Sequence, residues 1–87
     1  MVTTTDKGLK FEFECPGVDP ATIDVEIVEK YVLSVQWEQR GQKYRQVYTI
    51  SSSLDTDKTT SAYAHGLLTL EIPYREFSRS KVKVQGV

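Results

Sequence analysis

The chain has 87 residues, room for one domain of modest core, because a chain this short buries only roughly 60–65% of the surface it exposes when unfolded. Eleven basic and twelve acidic residues leave a formal net charge of -1 with no basic run, so the electrostatic footprint of a nucleic-acid binder is missing. No apolar stretch approaches the ~20 residues that span a bilayer, the opening MVTTTDK lacks the apolar centre of a secretory signal, and the lone Cys15 excludes an intrachain disulfide, so a soluble cytoplasmic protein is expected.

Residues 1–8 read as a short N-terminal segment. Leu9, Phe11, Phe13 and Cys15 then fall on one face and Lys10, Glu12 and Glu14 on the other, the period of a half-buried antiparallel strand. Pro16 and Gly17 stop it, and Asp19 before Pro20 has the form of an N-cap followed by proline at the first helical position, enough for a single turn. Ile23, Val25 and Ile27 alternate with Asp24 and Glu26, and Leu33, Val35 and Trp37 alternate with Ser34, Gln36 and Glu38, giving two further strands. The turn between them, at 29–31, lacks the glycine that primed hairpin turns prefer.

A strand over 44–50 places Tyr44, Gln46, Tyr48 and Ile50 on one side, and the serines at 51–53 break it. Beyond an LDTDK connector, Thr60, Ala62 and Ala64 share a face, and His65-Gly66 occupies the place where a tight hairpin requires positive φ. GLLTLEIPY, residues 66–74, returns from that turn with Leu68, Leu70 and Ile72 on one apolar face before Pro73 ends the ladder. After the polar residues 78–81 comes a last short alternation, Val82-Lys83-Val84. Six or so short strands with turn signals between them, and no helical period beyond single turns, predict a compact β-sandwich.

The residues offer little to an enzyme. Cys15 lies on the apolar face of its strand, where a cysteine behaves as a small hydrophobe, and His65 has no second imidazole with which to share a metal. No glycine-rich phosphate loop, metal-ligand spacing or nucleophile elbow occurs, so no catalytic residue, cofactor or metal is expected. Tyr44, Tyr48, Tyr63 and Tyr74 lack the basic interleaving of a nucleic-acid stacking platform and are assigned to packing and subunit contact.

The order PGV at 16–18, V-x-I at 25–27, VL-x-V around 32–35, then Ala-x-x-x-Gly-x-Leu-Thr ending in Ile-Pro at 62–73, resembles the alpha-crystallin domain of small heat-shock proteins. The resemblance covers roughly Leu9 to Tyr74 and implies an all-β fold, a two-sheet antiparallel immunoglobulin-like sandwich of about 7–8 short strands, as residues 9–77 with a C-terminal tail at 78–87. It departs from the family pattern at His65 for Asn, Leu67 for Val, Tyr74 for Lys, Ile50-Ser51 for Leu-Pro, and Gln46 for Arg. Arg45 stands one position away and therefore on the opposite face, so it does not inherit that arginine's contacts. The EQRGQK segment between Trp37 and Tyr44 is too short to exchange a strand with a neighbour, and with eight residues ahead of Leu9 either a minimal member without the family's N-terminal arm or one domain of a longer chain is expected.

What the resemblance implies about function is binding: an ATP-independent chaperone, or holdase, that takes up exposed apolar segments of unfolding clients. Its groove would lie between the strands at 23–28 and 59–64, with Ile23, Val25, Ile27, Thr60 and Ala62 as its residues. Val82 and Val84 match the family's C-terminal Ile-x-Ile anchor with each isoleucine shortened to valine, a loss of roughly 0.8 kcal/mol per methylene. Self-association to a dimer or small oligomer is expected, with no nucleic acid and no membrane. The rival reading is a monomeric co-chaperone or adaptor of the same sandwich, docking one folded partner.

Overall fold

The structure, a computed structural model, describes residues 1–76 and 82–86. Seven strands appear in the order β1 (Val2–Thr4), β2 (Gly8–Glu14), β3 (Asp24–Val28), β4 (Val32–Gln39), β5 (Gln42–Thr49), β6 (Thr60–Ala64) and β7 (Leu67–Pro73). They form a four-stranded sheet, β1-β2-β7-β6, and a three-stranded sheet, β3-β4-β5, with every pairing antiparallel. The two-sheet sandwich expected from the period of two is thus the observed fold.

Between the sheets lie Phe11, Phe13, Cys15, Val18, Leu33, Val35, Trp37, Ile50, Leu54, Leu68, Leu70 and Ile72, all buried. The register explains why. Phe11 sits opposite Leu70 and Phe13 opposite Leu68 across β2 and β7, and directly paired residues share a face. From the other sheet, Tyr48 meets Phe11 edge-on at 5.0 Å between ring centroids, and Trp37 stacks on Tyr44 at 5.7 Å. The Tyr48–Phe11 contact sets β5 above the β1–β2 side of the sandwich, so sheet order carries β3 to the β7–β6 side.

Residues 2–4, read as part of a lead segment, instead pair with β2 as an edge strand. Three residues are too few to show a period, and the turn that folds them back is built from a threonine. The Thr5 hydroxyl accepts from the Lys7 and Gly8 amides, and the Thr5 amide donates to the Gly8 carbonyl at 2.8 Å. Gly8 is fixed by close approach: a Cβ there would collide with the carbonyl oxygen of Ile72.

The predicted single turn is a 3-10 helix at Pro20–Thr22 whose Asp19 side chain accepts from the Ala21 amide at 3.0 Å. Arg40-Gly41 and His65-Gly66 each supply two consecutive positive-φ residues, the requirement of a two-residue primed hairpin. The EQRGQK segment is therefore hairpin, with Glu38 opposite Lys43 and Gln39 opposite Gln42. The turn at 29–31 meets the same need without glycine: Glu29 and Lys30 both lie at positive φ, 52° and 68°, and Tyr31 N–H donates to the Val28 carbonyl. A left-handed non-glycine residue costs roughly 1–2 kcal/mol. Lys30→Gly is accordingly expected to raise the unfolding free energy by roughly 0.5–1 kcal/mol, the part of that cost left after glycine's greater unfolded-state entropy; urea denaturation checks it, and an unchanged or lowered midpoint contradicts the strain at this turn.

Candidate binding groove

Strands β3 and β6 are each the outer strand of their sheet, one above the other along a shared side of the sandwich. An edge strand keeps half its backbone N–H and C=O groups unpaired, so among the described residues this side presents two rows of free hydrogen-bonding groups. Along β3, Val25 and Ile27 turn inward and are half-buried while Asp24 and Glu26 are exposed, and Ile23 just ahead of the strand is half-buried too. Their apolar surfaces pack against the core on one side and remain open on the other.

The opposite wall differs from the sequence expectation. Thr60 pairs with Glu71 and Ala62 with Thr69, so both point to the outer face and are exposed. The inward phase of β6 belongs to Ser61, opposite buried Leu70, and Tyr63, opposite buried Leu68. The hairpin fixes this: a two-residue turn at His65-Gly66 pairs Ala64 with Leu67, and each step back alternates faces from there. Counted from that turn, the sequence already contains the phase; the alternation of Thr60, Ala62 and Ala64 alone does not, because three small residues carry no inward signal.

Ser61 is the informative position. Its side chain lies on the inner face yet is exposed, so among the described residues nothing covers the sandwich between it and the half-buried Val25 and Ile27. The result is a shallow slot, apolar along its β3 wall and bounded on both sides by unpaired strand edges. Concavities lie elsewhere, one of about 410 Å³ between β2 and β5 beside Phe13, Trp37, Gln46 and Tyr48, and one of about 510 Å³ beside the Thr5–Lys10 turn. The Trp37 indole N–H next to the first of these is buried without a partner among the described residues. Val82 and Val84 occupy no strand and are 86% and 88% exposed; the tether expected at 78–81 lies outside the described residues.

A latch fixes one end of the slot. The Tyr63 hydroxyl donates to the Cys15 carbonyl at 2.9 Å, the Cys15 amide donates to the Gly66 carbonyl at 2.8 Å, and the Gln39 side-chain amide donates to the Pro16 carbonyl at 2.7 Å. Gly66 rests so close on Pro16 that a Cβ would sit 2.9 Å from its Cα. One turn is thereby tied to β6, β7 and β4, and that turn feeds β3. Cys15 within it is fully buried, and burial pushes its thiol above the ordinary value, partly offset by a hydrogen bond from the Leu68 backbone, which suits packing and not nucleophilic attack. Among the described residues no three His, Cys, Asp or Glu side chains gather to hold a metal, and no helix is long and apolar enough to cross a membrane.

The sequence model of the Hsp20/alpha crystallin family matches residues 1–85. The chain belongs to the Hsp20/alpha crystallin family. It is 32% identical over 89 residues to the "18 kDa antigen 1" of Mycobacterium avium, covering 86% of this chain and 60% of that relative. Among solved structures it is similar to a small heat-shock protein from Xylella fastidiosa, with a TM-score of 0.84, 21% identity, and coverage of 100% of this chain and 94% of that one. The rat alpha crystallin domain superimposes with a TM-score of 0.73 at 18% identity, over 93% of this chain and 95% of that one. Chaperone and stress roles belong to this family, whose members self-assemble and bind unfolding proteins.

Membership in the Hsp20/alpha crystallin family sharpens one departure. Gln46 pairs with Val35 on the inner face, whereas Arg45 pairs with Gln36 on the outer face and donates to the Ser34 hydroxyl at 3.3 Å. The one-residue shift thus separates the two side chains as expected. For the latch, Tyr63→Phe should leave the Cys15 carbonyl short of a donor and lower stability by roughly 0.5–1.5 kcal/mol. Thermal unfolding followed by circular dichroism tests this; an unchanged midpoint means that the hydroxyl contributes nothing to holding the turn.

Proposed function

We propose that this domain is an ATP-independent holdase whose slot between β3 and β6 takes up extended apolar segments of unfolding proteins. The observation that carries the reading is the inward-facing yet exposed Ser61 across from half-buried Val25 and Ile27, flanked by two unpaired strand edges. An added strand gains backbone hydrogen bonds from the edge and seats alternate side chains against the apolar wall, so affinity depends on extension and hydrophobicity more than on a particular sequence. The residues assigned to the slot are Ile23, Val25, Ile27, Ser61 and Tyr63. Binding alone is the mechanism: occupancy lowers the free concentration of aggregation-prone chains with no nucleotide and no bond made or broken.

Val82 and Val84 fit the role of a detachable anchor for the same slot on another copy. Both are free of the fold that bears them, and two side chains spaced by one residue can enter a groove while Lys83 stays in water. A docked tail would cover the client surface, and its release would expose that surface by mass action. The chain spans about 60% of the length of its mycobacterial relative, and the activity proposed is that of the domain. Its proposed setting is the cytoplasm.

The decisive assay is thermal aggregation of an unrelated client with and without this protein. Suppression of light scattering at near-stoichiometric ratios is expected, with Val25→Asp abolishing it while the far-UV spectrum stays native, since a half-buried rim position tolerates the charge. No suppression by the parent chain would instead favour an adaptor that docks one folded partner. Val82→Ile with Val84→Ile should tighten self-association roughly tenfold, two methylenes at ~0.8 kcal/mol each. Sedimentation measures that change, and equal affinity in parent and variant would remove the valines from the contact.

A further inference from the structure

The outer face of the three-stranded sheet carries charges in a pattern that the fold itself leaves unanswered. On this face β3 contributes Asp24 and Glu26, β5 contributes Lys43 and Arg45, and β4 between them contributes the uncharged Val32, Ser34 and Gln36, with Glu38 beyond them opposite Lys43 at the hairpin end. Asp24, Gln36 and Arg45 stand on one rung, Glu26, Ser34 and Val47 on the next, and Val28, Val32 and Thr49 on the third. One edge row is therefore acidic and the other basic, held roughly 10 Å apart by the intervening strand. Among the described residues the single side-chain ion pair, Lys10–Glu12 at 4.0 Å, lies on the other sheet. Beside the charges, Val28 and Val47 are 43% and 53% exposed and add apolar surface to the face.

We propose that this face binds the same face of a second copy, sheet against sheet, about a two-fold axis parallel to the strands. Such an axis exchanges left and right and keeps the rungs level, so β3 of one protomer lies over β5 of its partner. Asp24 then meets Arg45 of the other copy, and the symmetry makes this contact twice, while the outward residues of β4 lie on the axis, Val32 against its own counterpart and Glu38 against its own between the two Lys43 side chains. The alternative face-to-face axis, perpendicular to the strands, sets β3 over β3 and β5 over β5, acid against acid and base against base. The charge pattern thus selects one symmetric arrangement and opposes the other. Arg45 Nε already donates to the hydroxyl of buried Ser34 at 3.3 Å, so part of the side chain's freedom is lost before any partner arrives.

The face is small, three strands wide, against the ~800 Å² per partner of a standard stable interface, so the contact is a weak one and sensitive to salt. It uses the outward side chains of β3, whereas the slot uses the inward ones, and the two can be occupied together. This contact is independent of the holdase reading.

The test uses sedimentation of the full chain carrying Val82→Ser and Val84→Ser, so that tail docking does not contribute. Association is expected to fall several-fold from ~0.1 M to ~1 M salt, as the screening length shrinks from ~10 Å to ~3 Å. Asp24→Arg alone and Arg45→Asp alone should each abolish it, because each places like charges in contact at both symmetric positions. The two single variants mixed together should associate with each other: the introduced arginine of one then faces the introduced aspartate of the other, and the unchanged Arg45 of the first faces the unchanged Asp24 of the second. The double variant, with both charges exchanged, should again self-associate. Failure of the mixture to associate beyond its components, or single variants that associate like the parent, or a parent that stays monomeric at ~1 mM, overturns the proposal.

Discussion

Everything in this molecule depends on the register between β2 and β7. With Phe11 opposite Leu70 and Phe13 opposite Leu68, the central pair of strands turns four large apolar side chains toward the second sheet at once. A slip of one residue would turn the large side chains of the slipped strand to water, a loss of roughly 3 kcal/mol or more even at the lower figures for burying a single side chain. Gly8 locks one end of this pair by admitting the Ile72 carbonyl, and the Pro16 turn locks the other through Gly66. The other strands attach to that fixed ladder.

Once the central register is set, what remains open is set as well. Two sheets of four and three strands leave four edges, and in a small domain the core is used up in the middle, so edge residues are only half-covered. On the β3–β6 side the half-covered residues are valine, isoleucine and tyrosine, and a serine leaves the gap between them. The slot is therefore a consequence of where the core ends. Its position is held by Tyr63, which belongs both to the inner wall and to the latch on the turn that feeds β3. A site of this type has affinity without chemistry, which accords with a family of binding chaperones and with a cysteine sealed inside the sandwich.

The sequence revealed the inward faces of β2, β4 and β7 because each carries large apolar residues at every second position, and period two is unambiguous when the side chains are large. It also revealed the Asp19 cap and the His65-Gly66 turn, whose chemistry is local. It hid β1, three residues with no period, formed through the Thr5 hydroxyl and a close contact at Gly8 that only tertiary structure creates. It misdirected the wall of the slot: small Thr60 and Ala62 alternate as plainly as Ser61 and Tyr63, and the phase follows only from counting back through the hairpin from Leu67. Glu29-Lys30 was opaque for the opposite reason, since nothing in two charged residues announces a left-handed turn that the flanking strands impose.

The most direct measurement of the central claim is amide hydrogen exchange of the intact chain with and without an unfolding client, for example a reduced disulfide protein held just below its aggregation temperature. Added protection concentrated in Val25–Val28 and Ser61–Tyr63, with β1 and β5 unchanged, is the result this account predicts. Protection confined to β5 or to the outer sheet faces, with the β3 and β6 amides exchanging as in the free protein, would contradict it.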